Sequence, residues 1–251
     1  MSERITALWV YWKHGAEGDE LEWSVRSVLK NLHGVRNLVV VGDDPGPWFR
    51  ELGGTVVRCP RVTVHIMRQR YGIAARVRWI KWCDSVHKML VAATQPESVV
   101  SSRFLWLYDD TFFMRATDVS EIGPYYTTVI DAAEDPEPRS WREVRRRTFA
   151  QLAARGFPTY DFSTHFPAIF EKTKLLAMIA TLDALRCPTV IESAYLNMWH
   201  GSKAKKFPPG LFRYTKSGAV TNWRSAKVLN LGNGAWKKSR EAVVAELTRT
   251  T

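Results

Sequence analysis

Apolar and polar positions change rhythm repeatedly along this chain, and the first half reads as strands separated by helices. Ile5–Trp12 is an apolar, β-rich run and predicts a first strand. Asp19 precedes a helical pattern with Leu21, Val25, Val28, Leu29 and Leu32 on one face, Asp19 as its cap and Glu22 as the capping-box partner. Leu38–Val41 predicts a buried strand that stops at the turn signal Gly42-Asp43-Asp44-Pro45-Gly46, and Thr55–Arg58 a third, short one. A long helix is expected from about Gln69 to Ala93, with Trp79, Trp82, Cys83, Val86, Leu90 and Ala93 as its apolar stripe. Arg78, Lys81, Asp84, Ser85 and Lys88 lie largely off that stripe. Phe104–Tyr108 is an unbroken apolar run, the mark of a central strand buried on both faces, and it ends in Asp109-Asp110.

The rhythm then alters. Tyr125–Ile130 reads as a strand suited to an antiparallel position, and Asp131–Pro138 as an acidic, proline-containing loop. Ser140–Arg155 predicts a helix with Ser140 and Glu143 as capping box and Gly156 and Pro158 as its stop. Thr173–Leu185 and Ile191–Trp199 read as further helices, Gly201–Gly210 as a flexible basic loop, and Val228–Leu231 as a late strand before Asn233-Gly234. Strands alternating with helices indicate a parallel sheet. The expectation is a single α/β domain with a mixed central sheet, its second half an α+β elaboration of the first.

Composition narrows this. A chain of 251 residues with 45% apolar residues can bury a full core. No stretch approaches the roughly 20 apolar residues that cross a membrane, and the N-terminus reads as a strand and not a signal peptide. Three widely spaced cysteines, Cys59, Cys83 and Cys187, fit a reducing cytoplasm and form no metal motif. The net charge of +11 is uneven: residues 200–251 hold 11 Lys/Arg against 2 Asp/Glu, while residues 1–199 hold 25 against 23. The basic segment favours an anionic partner or is a solvated tail.

The strongest candidate site is Asp109–Asp110. Ligands of open α/β sheets bind beyond the carboxyl ends of the strands. Two adjacent carboxylates there are costly to ionise together without a counter-charge. A hard cation such as Mg²⁺ or Mn²⁺ removes that cost and bridges carboxylates to substrate phosphates. The bland alternative is one aspartate capping a turn and the other solvated.

Four segments carry a family resemblance: LWVYWKHG (Leu8–Gly15), DELEWSVRSV (Asp19–Val28), VRNLVVVGDDPGPWF (Val35–Phe49) and FLWLYDDTFF (Phe104–Phe113), with His165-Phe166-Pro167 as a weaker fifth. The chain resembles the GT-A class of glycosyltransferases, and more narrowly the Stealth-type sugar-phosphate transferases and their small stand-alone relatives. Tyr108 stands where that family has Asn, and His14-Gly15 where it has Asp-Gly. The resemblance implies a Rossmann-like GT-A fold, Mn²⁺ or Mg²⁺, and a UDP- or GDP-sugar donor whose diphosphate is held at the acidic pair. It divides the chain into a nucleotide-sugar-binding half (1–120), an acceptor-side part (121–199) and the basic segment (200–251). Trp12, in the loop after the first strand, would face the nucleotide base. Asp43 or Asp44 would bond the base or ribose, and Arg78 and Lys81 would reach the phosphates from the long helix, unless they form only a solvated face.

Asp161 and His165, in Tyr-Asp-Phe-Ser-Thr-His before a helix, are candidates for taking a proton from an acceptor hydroxyl. His165 is alternatively a metal ligand or a structural hydrogen bonder. Glu192 is a second candidate base, or a helix-start carboxylate favoured by the macrodipole. His200 is a late metal or phosphate candidate. Lys203, Lys205, Lys206, Arg213, Lys216, Arg224 and Lys227 interleave with Phe207, Phe212, Tyr214 and Trp223. That mixture suits a lid over a diphosphate, base stacking with phosphate contacts, or plain surface. The expected function is metal-dependent transfer of a sugar to a hydroxyl acceptor: a glycan, a protein or modified DNA. The alternatives are sugar-phosphate transfer, glycosylation of modified DNA bases in the manner of some phage enzymes, and a non-catalytic nucleic-acid-binding domain.

Overall fold

The structure, a computed structural model, describes residues 5–72, 79–128, 139–216, 218–219 and 223–249, with the backbone alone for residues 139, 140 and 224. In chain order its elements are β1 (Ile5–Tyr11), α1 (Glu20–Asn31), β2 (Leu32–His33), β3 (Val35–Gly42), α2 (Pro47–Glu51), β4 (Thr55–Arg58), α3 (Val64–Tyr71), α4 (Ile80–Ala93), β5 (Arg103–Leu107) and β6 (Thr111–Phe113). There follow β7 (Thr117–Asp118), β8 (Tyr125–Tyr126), α5 (Arg139–Ala153), β9 (Ala168–Glu171), α6 (Lys172–Thr181), α7 (Ile191–His200), β10 (Lys205–Lys206), β11 (Phe212–Thr215), β12 (Val228–Leu231) and α8 (Asn233–Thr248).

The central sheet has the order β4-β3-β1-β5-β9, parallel except for β9, which runs antiparallel to β5. This is the mixed α/β sheet expected, but its antiparallel member is β9 and not the Tyr125–Ile130 segment. The side chains explain why both faces are covered. Leu8, Val39, Val41, Phe104 and Trp106 pack on one face with Val86 and Met89 of α4, Met178 of α6 and Ala194 of α7. Ala7, Trp9, Val40, Leu105 and Leu107 pack on the other with Leu21, Val25 and Val28 of α1. Alternate residues of each strand serve opposite cores, so the strands are apolar throughout.

Gly42 permits the tight pairing of β1 and β3. Its φ is 144°, and a Cβ there would stand 1.9 Å from the carbonyl oxygen of Tyr11. A second sheet, β11-β12-β6, follows β5 and carries α8, whose Trp236 packs on Phe112, Leu229 and Leu231.

Several local expectations are corrected. The long helix is two: α3 ends at Gly72, whose φ of 63° closes it in the left-handed conformation, and α4 begins at Ile80. Asp19 makes no capping bond. Its carboxylate instead accepts from Trp23 Nε1 and Arg240, while Glu22 pairs with Arg26. Leu29, placed on the apolar stripe, is 51% exposed. Ser140 falls inside α5, which starts at Arg139. Tyr125–Tyr126 is the strand portion of its segment among the described residues, and it pairs parallel with β10. Part of the loop read as flexible, Lys205–Lys206, is therefore strand. Asn233-Gly234, after the late strand, starts α8. Residues 131–138 lie outside the described residues.

Candidate active site

The carboxyl ends of β1, β3 and β5 share one edge of the sheet because the three strands are parallel. After Leu107 the chain turns sharply, with Thr111 N–H donating to the Tyr108 carbonyl at 3.2 Å, and re-enters as β6. Asp109 and Asp110 sit in that turn. β9 runs antiparallel to β5 with Ala168 opposite Trp106, so the residues just before β9 reach the same edge. That pairing carries His165 to Asp110: Nδ1 lies 3.7 Å from Oδ2, beyond hydrogen-bond length but close enough for strong charge interaction.

His165 is held in an unusual backbone state, with φ at 56°. Its ring stacks on Tyr108 with centroids 4.1 Å apart and planes 4° from parallel. Thr111 Oγ1 donates to its carbonyl at 3.3 Å. Its Nδ1 is buried without a hydrogen-bond partner. Left-handed strain in a non-glycine residue is characteristic of binding sites.

The second sheet supports Asp110 from the other side. Asn230 of β12 is fully buried and lies opposite Thr111. Its Nδ2 donates to the Asp110 carboxylate, with a further contact to Thr111 Oγ1 at 3.2 Å. Leu231 N–H donates to the Asp110 carbonyl at 3.0 Å. The Oδ1 of Asn230 is buried and unpartnered.

Helix α1 supports the turn from its own side. Ser24 Oγ accepts from Trp9 Nε1 at 3.0 Å and donates to the Thr111 carbonyl at 2.6 Å. Ser27 Oγ accepts from Phe113 N–H at 3.0 Å. Glu20, one turn before Ser24, is 1% exposed. One carboxylate oxygen accepts from Glu17 N–H at 2.9 Å and the other is buried without a partner. Glu20, Ser24 and Ser27 thus form a buried polar stripe at helical spacing beside the apolar one. The sequence reading assigns Glu20 no role. The available signal is the i, i+4, i+7 polar row flanking Leu21, Val25 and Val28.

The result is a hollow crowded with carboxyl groups. Burial and then the neighbouring Asp110 push Asp109 up to about 7. Burial, with Asp109 and Asp110 adding to it, pushes Glu20 up to about 8. Tyr11 rises to about 12 through burial and the charges of Asp109, Asp43 and Glu20. Burial acts to lower His165, but Asp110, Glu192 and Asp109 outweigh it and hold the imidazole above its ordinary range.

Two cavities open beside the turn and share His165 and Trp141 as wall. One, of about 350 Å³, takes in Lys81, Tyr108 and Glu192. The other, of about 590 Å³, takes in Arg145, Asp161, Tyr214 and Lys216. Tyr108 Oη donates to Glu192 Oε1 at 2.9 Å. Asp161 is already engaged: Arg145 donates to it at 3.0 Å, and the Ser163 N–H and hydroxyl both bond its other oxygen.

Other expected site residues are placed as follows. Trp12 follows β1 at the active edge, with the Arg61 guanidinium 3.7 Å from its ring centroid. The Asp43 carboxylate accepts from Lys13 N–H at 2.9 Å. Asp44 staples its own turn through Gly46 N–H and pairs with Arg50 and Arg58. Arg78 lies outside the described residues. His200 is not brought to the metal candidates: it lines a pocket with Arg103 and Glu171, at the opposite end of β5. At ~3.3 Å per residue that end is roughly 20 Å from Asp109. Glu192, near the start of α7, lines the cavity beside Tyr108, and His200, at its end, lines the pocket beside Arg103. Phe207 and Phe212 stack on each other and pack on Phe166, so these two aromatics of the basic stretch are wall rather than lid.

No protein-family model matches the chain, and no curated protein matches it. Among similar solved structures is the glycosyltransferase GlyE of Streptococcus pneumoniae TIGR4, at 8% identity over 99% of this chain and 61% of that one, with a TM-score of 0.46. The chain therefore spans about three-fifths of the length of the GlyE structure. An active-site mutant of LgtC matches at 11% identity over 98% of each chain, with a TM-score of 0.49. Mouse xyloside xylosyltransferase 1 matches at 11% identity over 91% of this chain and 97% of its own, with a TM-score of 0.43. At such identities and partial superpositions, what this chain does has to be read from its own residues.

Proposed function

We propose that this chain is a glycosyltransferase that moves a sugar from a nucleotide-sugar donor to a hydroxyl acceptor, with the donor diphosphate held at Asp109–Asp110 through a divalent cation. The supporting observation is the turn after β5, where two adjacent carboxylates are backed by the buried Glu20 and faced by the unpartnered imidazole nitrogen of His165. Negative charge crowded in this way favours a cation. Asp109 and Asp110 offer the oxygen donors that Mg²⁺ and Mn²⁺ prefer, and His165 Nδ1 lies beside them. Among the described residues no set of three or more His, Cys, Asp or Glu side chains closes round an ion. Phosphate oxygens and water would supply the remaining positions, as is common for Mg²⁺. When bound, the cation offsets charge building on the departing diphosphate.

The acceptor hydroxyl attacks the anomeric carbon, the bond from that carbon to the diphosphate oxygen breaks, and the hydroxyl proton passes to a carboxylate. Glu192 is the better placed of the two candidate carboxylates. It lines the cavity beside His165, and burial raises it above the ordinary carboxylate range, towards the pH at which a general base works well. Asp161 is already committed to Arg145 and Ser163.

A thermal-shift panel of UDP- and GDP-sugars with and without Mn²⁺ tests this. At least one donor should stabilise the chain when metal is present, by about 2.7 kcal/mol at a hundredfold excess over Kd. No stabilisation by any donor with metal would overturn the reading.

A further inference from the structure

The 350 Å³ cavity has a composition unlike the rest of the site. Strand β5 and the turn after it place Trp106 and Tyr108 on one face, their rings 5.0 Å apart. Helix α4 supplies Trp82 and α5 supplies Trp141, stacked with centroids at 6.2 Å and planes 14° apart. That spacing is too narrow for a flat ring to slide between them, so the pair presents its outer surface. The polar groups are Glu192, tied to the Tyr108 hydroxyl at 2.9 Å, Lys81, whose ammonium lies 4.2 Å from the Trp82 ring centroid, and Ser85, Thr189 and His165.

A pyranose ring matches this pattern. Its faces are C–H surfaces that lie on broad aromatic planes, and its rim of hydroxyls is bonded by carboxylates and phenols. The volume falls within the range of small-molecule sites, ~300–1,000 Å³. A nucleotide fits less well, because its phosphate would meet the buried carboxylate of Glu192 with only Lys81 and His165 to offset it. The cavity also opens onto His165, and so onto the Asp109–Asp110 turn.

We infer that this aromatic chamber is the acceptor subsite and takes an uncharged pyranose, the terminal sugar of a glycan, laid on Trp141 and Trp106 with its hydroxyls towards Glu192. The assignment as acceptor rests on the glycosyltransferase reading above; the saccharide chemistry of the chamber does not.

Saturation-transfer NMR of the full chain with methyl glycopyranosides of glucose, galactose, mannose and N-acetylglucosamine tests it. At least one glycoside should bind through its C–H protons. Trp141→Ala should weaken that binding about tenfold or more, and Trp141→Phe should restore part of it. The indole N–H signals of Trp82, Trp106 and Trp141 should move on titration in the unmodified protein, which keeps the test decisive if Trp141→Ala folds poorly. No glycoside binding, binding indifferent to Trp141→Ala with unmoved indole signals, or binding of adenosine or guanosine in place of the sugars would overturn the proposal. If donor and Mn²⁺ still stabilise the chain while glycosides fail, the chamber proposal alone falls. If glycosides bind as expected but no donor does, the acceptor assignment falls with the donor reading.

Discussion

At the residue scale, the turn after β5 is defined by how many charges of one sign are placed together. Asp110→Asn keeps the size of the side chain and removes its charge. It should abolish the Mn²⁺-dependent donor shift, and transfer, while leaving the metal-free melting temperature within a few degrees, about 1 kcal/mol. Glu20 makes a separate prediction. A carboxyl raised from near 4.5 to about 8 contributes stability at acid pH that is lost as pH rises through that window. Glu20→Gln should remove the loss. Urea unfolding should find it more stable than the parent near pH 9, by ~1–3 kcal/mol, and little different near pH 4. A loss of stability near pH 9 with none near pH 4 would show instead that the carboxylate is wanted for its charge. Asp109–Asp110 was legible as a local string following an apolar strand. Glu20 was not, because a buried glutamate in the first turn of a helix looks the same in sequence as a solvated one.

At the element scale, α8 locks the second sheet and α1 together by two kinds of contact. Trp236 is buried and stacks on Phe112, centroids 4.8 Å apart, whereas the Arg240–Asp19 and Lys237–Glu17 pairs lie at the surface. Packing should dominate. Trp236→Ala should cost ~3–5 kcal/mol in chemical denaturation, and Arg240→Ala less than about 1 kcal/mol. Strand β12 passes between α8 and the site, so Trp236→Ala should also loosen Asn230 and weaken donor binding. Strands β4 and β12 were readable to the residue from their short apolar runs. The division of the long helical pattern into α3 and α4 was not, because both keep an apolar stripe and the one signal for the break is Gly72.

At the scale of the whole molecule, the excess of positive charge in the last fifth of the chain reads differently once folded. Lys227, Lys237 and Arg240 pair with Glu121, Glu17 and Asp19, all distant in sequence, and α8 covers apolar surface. The segment is part of the body and not a solvated tail. Removing residues 233–249 should therefore leave an insoluble or molten chain, seen as loss of a cooperative unfolding transition, and not a functional enzyme lacking an appendage. Among the described residues no helix is long and apolar enough to cross a membrane.

The alternating strands and helices of the first half and the acidic pair at a strand's end follow from the sequence alone, because periodicity, unbroken apolar runs and turn residues act over a few neighbours. The surroundings of that pair were decided by tertiary structure. His165 reaches Asp110 because β9 runs antiparallel to β5. Asn230, 120 residues away, reaches it through β12, and Glu20 through the polar face of α1. Helix α7 likewise leaves His200 beside Arg103, at the opposite end of β5. No spacing along the chain encodes these outcomes, since they depend on strand direction and on which face of a helix meets the sheet.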